Sequence, residues 1–276
     1  MRKIIVLGSN GMLGQMVKLF FMEKKFEVVC YDDRFRDDNF HEYLEFLNSQ
    51  ESSIIINCVG RIKQKYDDSM SLLFANVILP LELARSLKKD HFLVHPSTDC
   101  VFDGLSDAKY LKSDFHNAED VYGWSKSLGE KAILSRPNSL IFRVSIIGPD
   151  SNSSSGLLSW FLNLSANEII NGYDNHFWNG ITTLEWCEQL LNLIIKTKNF
   201  DKYESEVVQL GTEKIYSKYE MLCIFQKVFN TNYIIEKFSN SEAINRTLVS
   251  DKKIIELEEQ MIKLKNFIDG LEKKIF

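Results

Sequence analysis

The sequence predicts an α/β fold: a Rossmann-type doubly wound parallel sheet with a smaller α/β substrate domain. Three observations predict it. Short β-branched runs alternate with longer amphipathic segments through residues 1–148. The runs are apolar on both alternating faces, as in strands covered on two sides by helices. A glycine turn, GSNGMLG at 8–14, joins the first run to the first helix.

The elements follow in order. KIIVLG (3–8) is a strand stopped by glycine, and MLGQMVKLFFMEKK (12–25) has helical spacing. FEVVCYD (26–32) is a second strand, FHEYLEFLNSQ (40–50) a helix, and SIIINCVG (53–60) a third strand. A long helix spans 69–89, with Pro80 as a kink or boundary. HFLVHPSTDCVF (91–102) is a fourth strand, VYGWSKSLGE (121–130) a helix, and SLIFRVSIIG (139–148) a further strand. PDSNSSSG (149–156) is a loop by composition and opens a second domain over 149–276. There, helices are expected at 157–167, 184–197 and 217–229, with a strand at 206–211. The helix at 184–200 is expected to return onto the first domain.

The tail places apolar residues at 254, 257, 261, 264, 268, 271 and 275. Those gaps of three and four make an a/d seam. A coiled coil joining two subunits is one reading, and hence a homodimer. The plainer reading docks the helix on its own domain, because Ile255, Ile262 and Phe267 widen the stripe.

Composition bounds the function. Apolar residues make up 45% of 276 and charged residues 26%, with net charge −5. No basic block stands apart from acids, so no nucleic-acid partner is expected. Five cysteines without a CxxC pair suit a reducing cytoplasm and predict neither disulfides nor a zinc site. His91 and His95 lack metal-ligand spacing, so no metal is expected. No apolar stretch of about 18 residues exists, so no membrane span is expected. The apolar run Ile4–Leu7 is too short for a signal peptide.

Gly8, Gly11 and Gly14 lie between a strand and a helix. The first permits a tight bend, the second lets backbone approach a pyrophosphate, and the third lets helix and strand pack closely. Backbone N–H groups at Asn10, Met12 and Leu13 would then face the anion. Asp32 ends the second strand, where a carboxylate accepts from an adenosine ribose hydroxyl and argues for NAD. Arg34 and Arg36, just beyond Asp33, keep NADP open.

Tyr122 and Lys126, four residues apart, share one face of a helix. Together with the turn, the segments GSNGMLGQ, IINCVG, STDCVFDG, VYGWSKSLGE and FRVSIIG resemble the extended short-chain dehydrogenase/reductase family. Within it they resemble the dTDP-4-dehydrorhamnose reductase branch, over residues 1 to about 148. The resemblance implies NAD or NADP as hydride donor and a nucleotide sugar as substrate. Ketone reduction needs a hydride and a proton. Tyr122 would give the proton, and Lys126 would lower its pKa and reach the nicotinamide ribose. Thr98, where the family has Ser or Thr, would bind the substrate carbonyl, with Asp99 beside the sugar. Ser97 and Cys58, Val59 and Gly60 would lie along the cofactor. Asn76 matches the family's helix asparagine, a support for the lysine.

Departures from the branch cluster near the sugar. Cys100 stands where it has tyrosine, Ile146 where many members have an aromatic, and HFWNGITT (176–183) replaces its substrate loop. In the second half, Trp178, Asn179 and Thr182 are expected to border the sugar and Arg246 to meet phosphate. The implied setting is sugar supply for surface polysaccharide or O-antigen. Two rivals stand beside this reading. One is an epimerase or dehydratase that retains NAD. The other is a non-catalytic regulatory subunit of the same fold.

Overall fold

The computed structural model describes residues 2–33, 35, 39–62, 69–150, 156–165 and 167–275. The chain starts with β1 (Ile4–Leu7), α1 (Met12–Glu23), β2 (Val28–Tyr31), α2 (Phe40–Ser49) and β3 (Ile54–Asn57). Next come α3 (Ser69–Leu73), a π-helical turn at Phe74–Ile78, and α4 (Leu79–Ser86). Then β4 (Phe92–Ser97) leads through a 3₁₀ turn at Asp99–Val101 to α5 (Val121–Leu134) and β5 (Ser139–Arg143). The second half holds β6 (Ile146–Ile147), α6 (Leu157–Leu162), β7 (Ile169–Tyr173), β8 (His176–Trp178), β9 (Ile181–Thr182) and α7 (Thr183–Lys196). It continues with β10 (Glu206–Gln209), β11 (Tyr216–Ser217), α8 (Lys218–Phe229), β12 (Ile234–Phe238), β13 (Ile244–Asn245) and α9 (Leu257–Ile275).

Six strands form one parallel sheet in the order β10-β5-β4-β3-β1-β2. β1 and β3 are buried at every position, which is why their sequences read as unbroken Ile/Val/Leu runs. One core lies under the face carrying α1 and α7, with Phe20, Phe21, Phe161, Trp186 and Phe225 among its buried side chains. A second lies under the opposite face, built on Tyr43, Leu47, Leu79, Leu83 and Ile133.

Pro80 marks the boundary expected of it: it stands in the first turn of α4, directly after the π turn that interrupts the long helix. Two expectations are revised. The strand expected over 139–148 splits at Val144, because β6 leaves the sheet to pair with β9. The segment at 206–211 was assigned to the second domain, yet β10 pairs with β5 as the edge of the main sheet. The first core also runs through both halves, from Ile4 to Leu264.

The tail helix docks on its own chain. Leu257, Met261 and Leu264 are fully buried, and Phe267 meets Phe20 at 6.2 Å between ring centroids. Gln260, on the same face, accepts the Thr182 N–H at 2.7 Å. The first part of the a/d seam is therefore spent inside the molecule, as the plainer reading has it, while Ile268 and Leu271 are half-buried. Among the described residues, no helix is long and apolar enough to cross a membrane.

Candidate active site

β1, β3 and β4 are neighbours and end at one edge of the sheet. The chain reverses its winding between β1 and β3, which is where such sheets bind ligands.

The turn after β1 is shaped by its glycines. Gly8 has φ +72°, a left-handed conformation that disfavours other residues. A Cβ on Gly14 would stand 2.1 Å from the Gly8 carbonyl oxygen, so only glycine lets α1 close on the turn. A Cβ on Gly11 would meet nothing nearer than 3.7 Å, and Gly11 is exposed. Gly11 is also the N-cap of α1 and provides no side-chain acceptor. The amides at the start of the helix thus suit an anion, and a dinucleotide pyrophosphate fits this cradle. Asn10 is exposed and Met12 half-buried, whereas the Leu13 side chain belongs to the core. Leu13 can therefore offer a ligand its backbone only.

Asp32 lies exposed at the end of β2. Its carboxylate accepts from the Ser9 N–H at 2.7 Å and the Ser9 hydroxyl at 2.8 Å. It braces the glycine turn while keeping lone pairs toward solvent. Arg34 and Arg36 lie outside the described residues. Beyond β3, Val59 packs over Gly8, and Gly60 is exposed. Cys58 donates its N–H to the Leu7 carbonyl at 3.0 Å. These positions lie beside the turn.

Asn76 sits in the π turn and is buried. Its amide bonds both backbone groups of Arg61 at 3.0 Å and the Ser125 hydroxyl at 2.9 Å. It clamps the segment after β3 to α5. A π turn presents one side chain out of helical phase, a common device at functional sites.

α5 carries the tyrosine and the lysine. Asp120 caps it through the Gly123 N–H at 2.8 Å. Two glycines let it approach closely. A Cβ on Gly123 would stand 2.1 Å from the Cys100 carbonyl oxygen, and one on Gly129 2.3 Å from that of Asn76. The helix is thus pressed against the Thr98–Cys100 turn at one end and the π turn at the other. Thr98 is buried. Its hydroxyl donates to Asp99 at 3.0 Å and accepts from the Cys100 N–H at 3.1 Å. It also faces the Tyr122 phenol and favours its ionised form.

The sequence led us to expect Lys126 to lower the Tyr122 pKa. The structure shows the opposite balance. Burial raises the phenol above its ordinary value, and Cys100, Asp99 and Asp120 add to the rise. Lys126 is buried and donates to the Pro96 carbonyl at 2.7 Å. Burial pulls its pKa down to about 8, against the opposing pull of Glu130 and Cys58. Tyr122 is therefore firmly protonated. Ser97, at the end of β4, is buried with its hydroxyl unpartnered among the described residues. Burial, with help from Asp99, pushes the Cys100 thiol up to about 12, so it is no nucleophile near neutrality.

On the expected substrate side the structure divides the residues. Ile146 is half-buried in β6, and Arg246 is half-buried with its Nε donating to the Phe102 carbonyl at 2.9 Å. Trp178, Asn179 and Thr182 hold structural positions instead of bordering a cleft. Trp178 is in the main core. Asn179 spends its amide on Thr212 O and on both backbone groups of Leu248. Thr182 is fully buried and caps α7 through the Glu185 N–H. Aromatic and amide side chains look alike in sequence whether they line a cleft or fill a core.

Two features escaped the sequence. Glu130, one turn beyond Lys126, is held by Arg143 at 2.9 and 2.7 Å. Arg143 also bonds Gln209 at 2.9 Å and His116 at 2.8 Å, so this buried cluster ties α5 to β5 and β10. Lys218, the first residue of α8, faces Asp99 and Cys100. Neither residue stands in a periodic pattern that would announce it.

The profile of the RmlD substrate binding domain family matches residues 1–238. A dTDP-4-dehydrorhamnose reductase of Aggregatibacter actinomycetemcomitans is 30% identical over 151 residues, 52% of this chain and 51% of that protein. The methionine adenosyltransferase 2 subunit beta of Bos taurus is 28% identical over 147 residues, 48% of this chain and 43% of its own length. The chain thus spans about half the length of the curated relatives it matches. The crystal structure of a Bacillus anthracis dTDP-4-dehydrorhamnose reductase in complex with NADP superposes with a TM-score of 0.82 at 18% identity, covering 98% of this chain and 99% of that one. That likeness extends the shared fold past residue 238 to the tail helix. From the glycine turn to β12, this chain belongs to the RmlD substrate binding domain family.

Proposed function

We propose that the chain is an NAD(P)H-dependent reductase of a nucleotide-linked 4-keto-6-deoxy sugar, serving surface-polysaccharide or O-antigen supply in a reducing cytoplasm. One observation carries the reading. The uncapped glycine turn and the Thr98–Tyr122–Lys126 group meet at one edge of the sheet, with α5 seated by Gly123 and Gly129. The related reductases named above support the substrate class.

The dinucleotide, when bound, supplies the hydride. The chain's own residues do the rest. Gly8, Gly11 and the start of α1 hold the pyrophosphate, and Asp32 offers its carboxylate to the ribose. Thr98 donates to the sugar carbonyl oxygen. Tyr122, kept protonated by its burial and by Asp99 and Asp120, passes its proton to the forming alkoxide. Once the alkoxide is neutral, the single Thr98 proton can turn from the sugar oxygen to the phenolate left behind. Lys126, fixed by Pro96, holds a cation along the ribose side of the crevice.

The test is oxidation of NADH and NADPH with dTDP-, UDP- and GDP-linked 4-keto-6-deoxyhexoses. Turnover with one of them that falls about 100-fold or more in Tyr122→Phe supports the reading. Absence of turnover with the whole panel overturns it. The methionine adenosyltransferase subunit among the relatives favours a second reading, a non-catalytic subunit. For that, a Tyr122→Phe variant would keep its cellular function.

We also propose a homodimer, formed through the outer faces of α4 and α5. Ile78, Leu81, Val121, Trp124 and Leu128 are exposed there on adjacent helices, an apolar stripe uncommon on a monomer. Sedimentation should give twice the chain mass, and Trp124→Asp should return it to one.

A further inference from the structure

Two cations outside the catalytic group stand near the Thr98–Cys100 turn. The small sheet β11-β8-β13 brings them there. Ser217 pairs with Phe177, so Lys218 follows directly beside His176. Asn245 pairs with the same Phe177 from the other side, and Arg246 follows it. Arg246 is anchored by its bond to the Phe102 carbonyl and by contact with Gly104, where a Cβ would stand 2.9 Å from Arg246 Cγ. Its two terminal nitrogens donate to no protein group among the described residues.

Lys218 lies within electrostatic reach of Asp99 and Cys100. Among the described residues no carboxylate comes within 4.0 Å of its ammonium. Asp99 instead accepts from Thr98 and from the Cys100 thiol. The capping of α8 is already complete, with Ser217 and Glu220 bonded reciprocally, so Lys218 plays no part in it. A half-buried ammonium without an ion pair is costly unless a ligand anion joins it.

The two cations follow the order of the loop after β4. Thr98 comes first, then Asp99 and Cys100 within reach of Lys218, then Phe102 and Gly104 in contact with Arg246, whose charge also reaches Cys100. A chain of groups running sugar, phosphate, phosphate, nucleoside matches that order.

We propose that Lys218 binds the sugar-bearing phosphate of the substrate's diphosphate, completing with Arg246 a two-cation grip that aims the sugar at Thr98 and Tyr122. This rests on the reading of the substrate as a nucleotide sugar. Lys218 reads the second phosphate, whereas Arg246 serves any nucleotide with at least one.

Calorimetric titration with saturating NADP⁺ tests it, because the glycine turn is then filled and a second nucleotide reports only the substrate side. The probes are dTDP against dTMP and UDP against UMP. The wild type should bind one of the diphosphates about tenfold or more tightly than its monophosphate. Lys218→Met should abolish that preference, Lys218→Arg should keep most of it, and Arg246→Met should weaken both ligands. NADP⁺ affinity, measured first and alone, should be unchanged in Lys218→Met, which shows that the variant is folded. A diphosphate preference that survives Lys218→Met overturns the proposal. So does a wild type that binds neither diphosphate. Failure of the reductase reading shows separately, as absent binding of both NAD⁺ and NADP⁺ or absent turnover with the sugar panel; where only NAD⁺ binds, it replaces NADP⁺ in the titration.

Discussion

Gly123 of α5 and the carbonyl of Cys100 are in such close approach that a methyl group on the glycine would stand 2.1 Å from the oxygen. The same Cβ would lie 2.5 Å from that of Ala118. Neither neighbour is the free end of a flexible side chain, so α5 itself must move. Gly123→Ala should lower stability by about 1–3 kcal/mol and displace Tyr122 from Thr98. We expect kcat to fall about tenfold or more, because small misplacements of a proton donor are costly. A variant with wild-type kcat and melting temperature would refute the close packing.

The glycines of the first turn should separate structure from binding. Gly14→Ala places a Cβ 2.1 Å from the Gly8 oxygen and should cost about 1–3 kcal/mol by overpacking. Gly11→Ala meets open space, and its melting temperature should stay near wild type. Its methyl group nevertheless occupies the cradle, so NADP(H) affinity should drop about tenfold or more. Fluorescence titration and thermal melts of both variants check the contrast.

Lys126 sets a pH limit. Its pKa is pulled to about 8, so its cation is present below that value and lost above it. Tyr122 is raised and stays protonated through the same range. The value of kcat/KM for reduction should therefore hold near neutrality and decline above about pH 8, first through Lys126. Lys126→Met should be slow at every pH and lack that limb. A wild-type profile rising through pH 9 would contradict the assignment.

The tail helix offers a paired test. Leu264 is fully buried and Ile262 is largely exposed on the same helix. Leu264→Ala should cost about 2–5 kcal/mol, and Ile262→Ala within about 0.5 kcal/mol. Denaturant melts of the two variants check the contrast.

Most of the sheet was legible, because β1, β3, β4 and β5 are buried on both faces and announce themselves as Ile/Val/Leu runs. The glycine turn and the Tyr122–Lys126 spacing were legible for the same kind of reason: local geometry leaves few residue types able to serve. The small strands β7, β8, β9, β11, β12 and β13 were not. Two to five residues each show too little period to read. Trp178, Asn179 and Thr182 were assigned to the sugar because their chemistry suits one, yet long-range packing against Leu248, Thr212 and α7 uses them up. Lys218 and Arg143 stayed hidden for the converse reason. A lone charge acquires meaning only when distant strands bring it a neighbour. The direction of the Tyr122 shift also needed the fold, since Asp99 and Asp120 reach the phenol from two separate segments.

The return of β10 to the sheet edge has a mechanical consequence. The polypeptide crosses from the first half to the second after β6, comes back with α7 and stays through β10, and leaves again after residue 209. Three crossings make a hinge between lobes stiff, since opening it would strain every one of them. Admission of a bulky nucleotide must then depend on movement of individual loops near β4 and β13. Truncation after residue 148 would also strip β5 of its outer partner and leave a bare row of peptide groups, an invitation to aggregate.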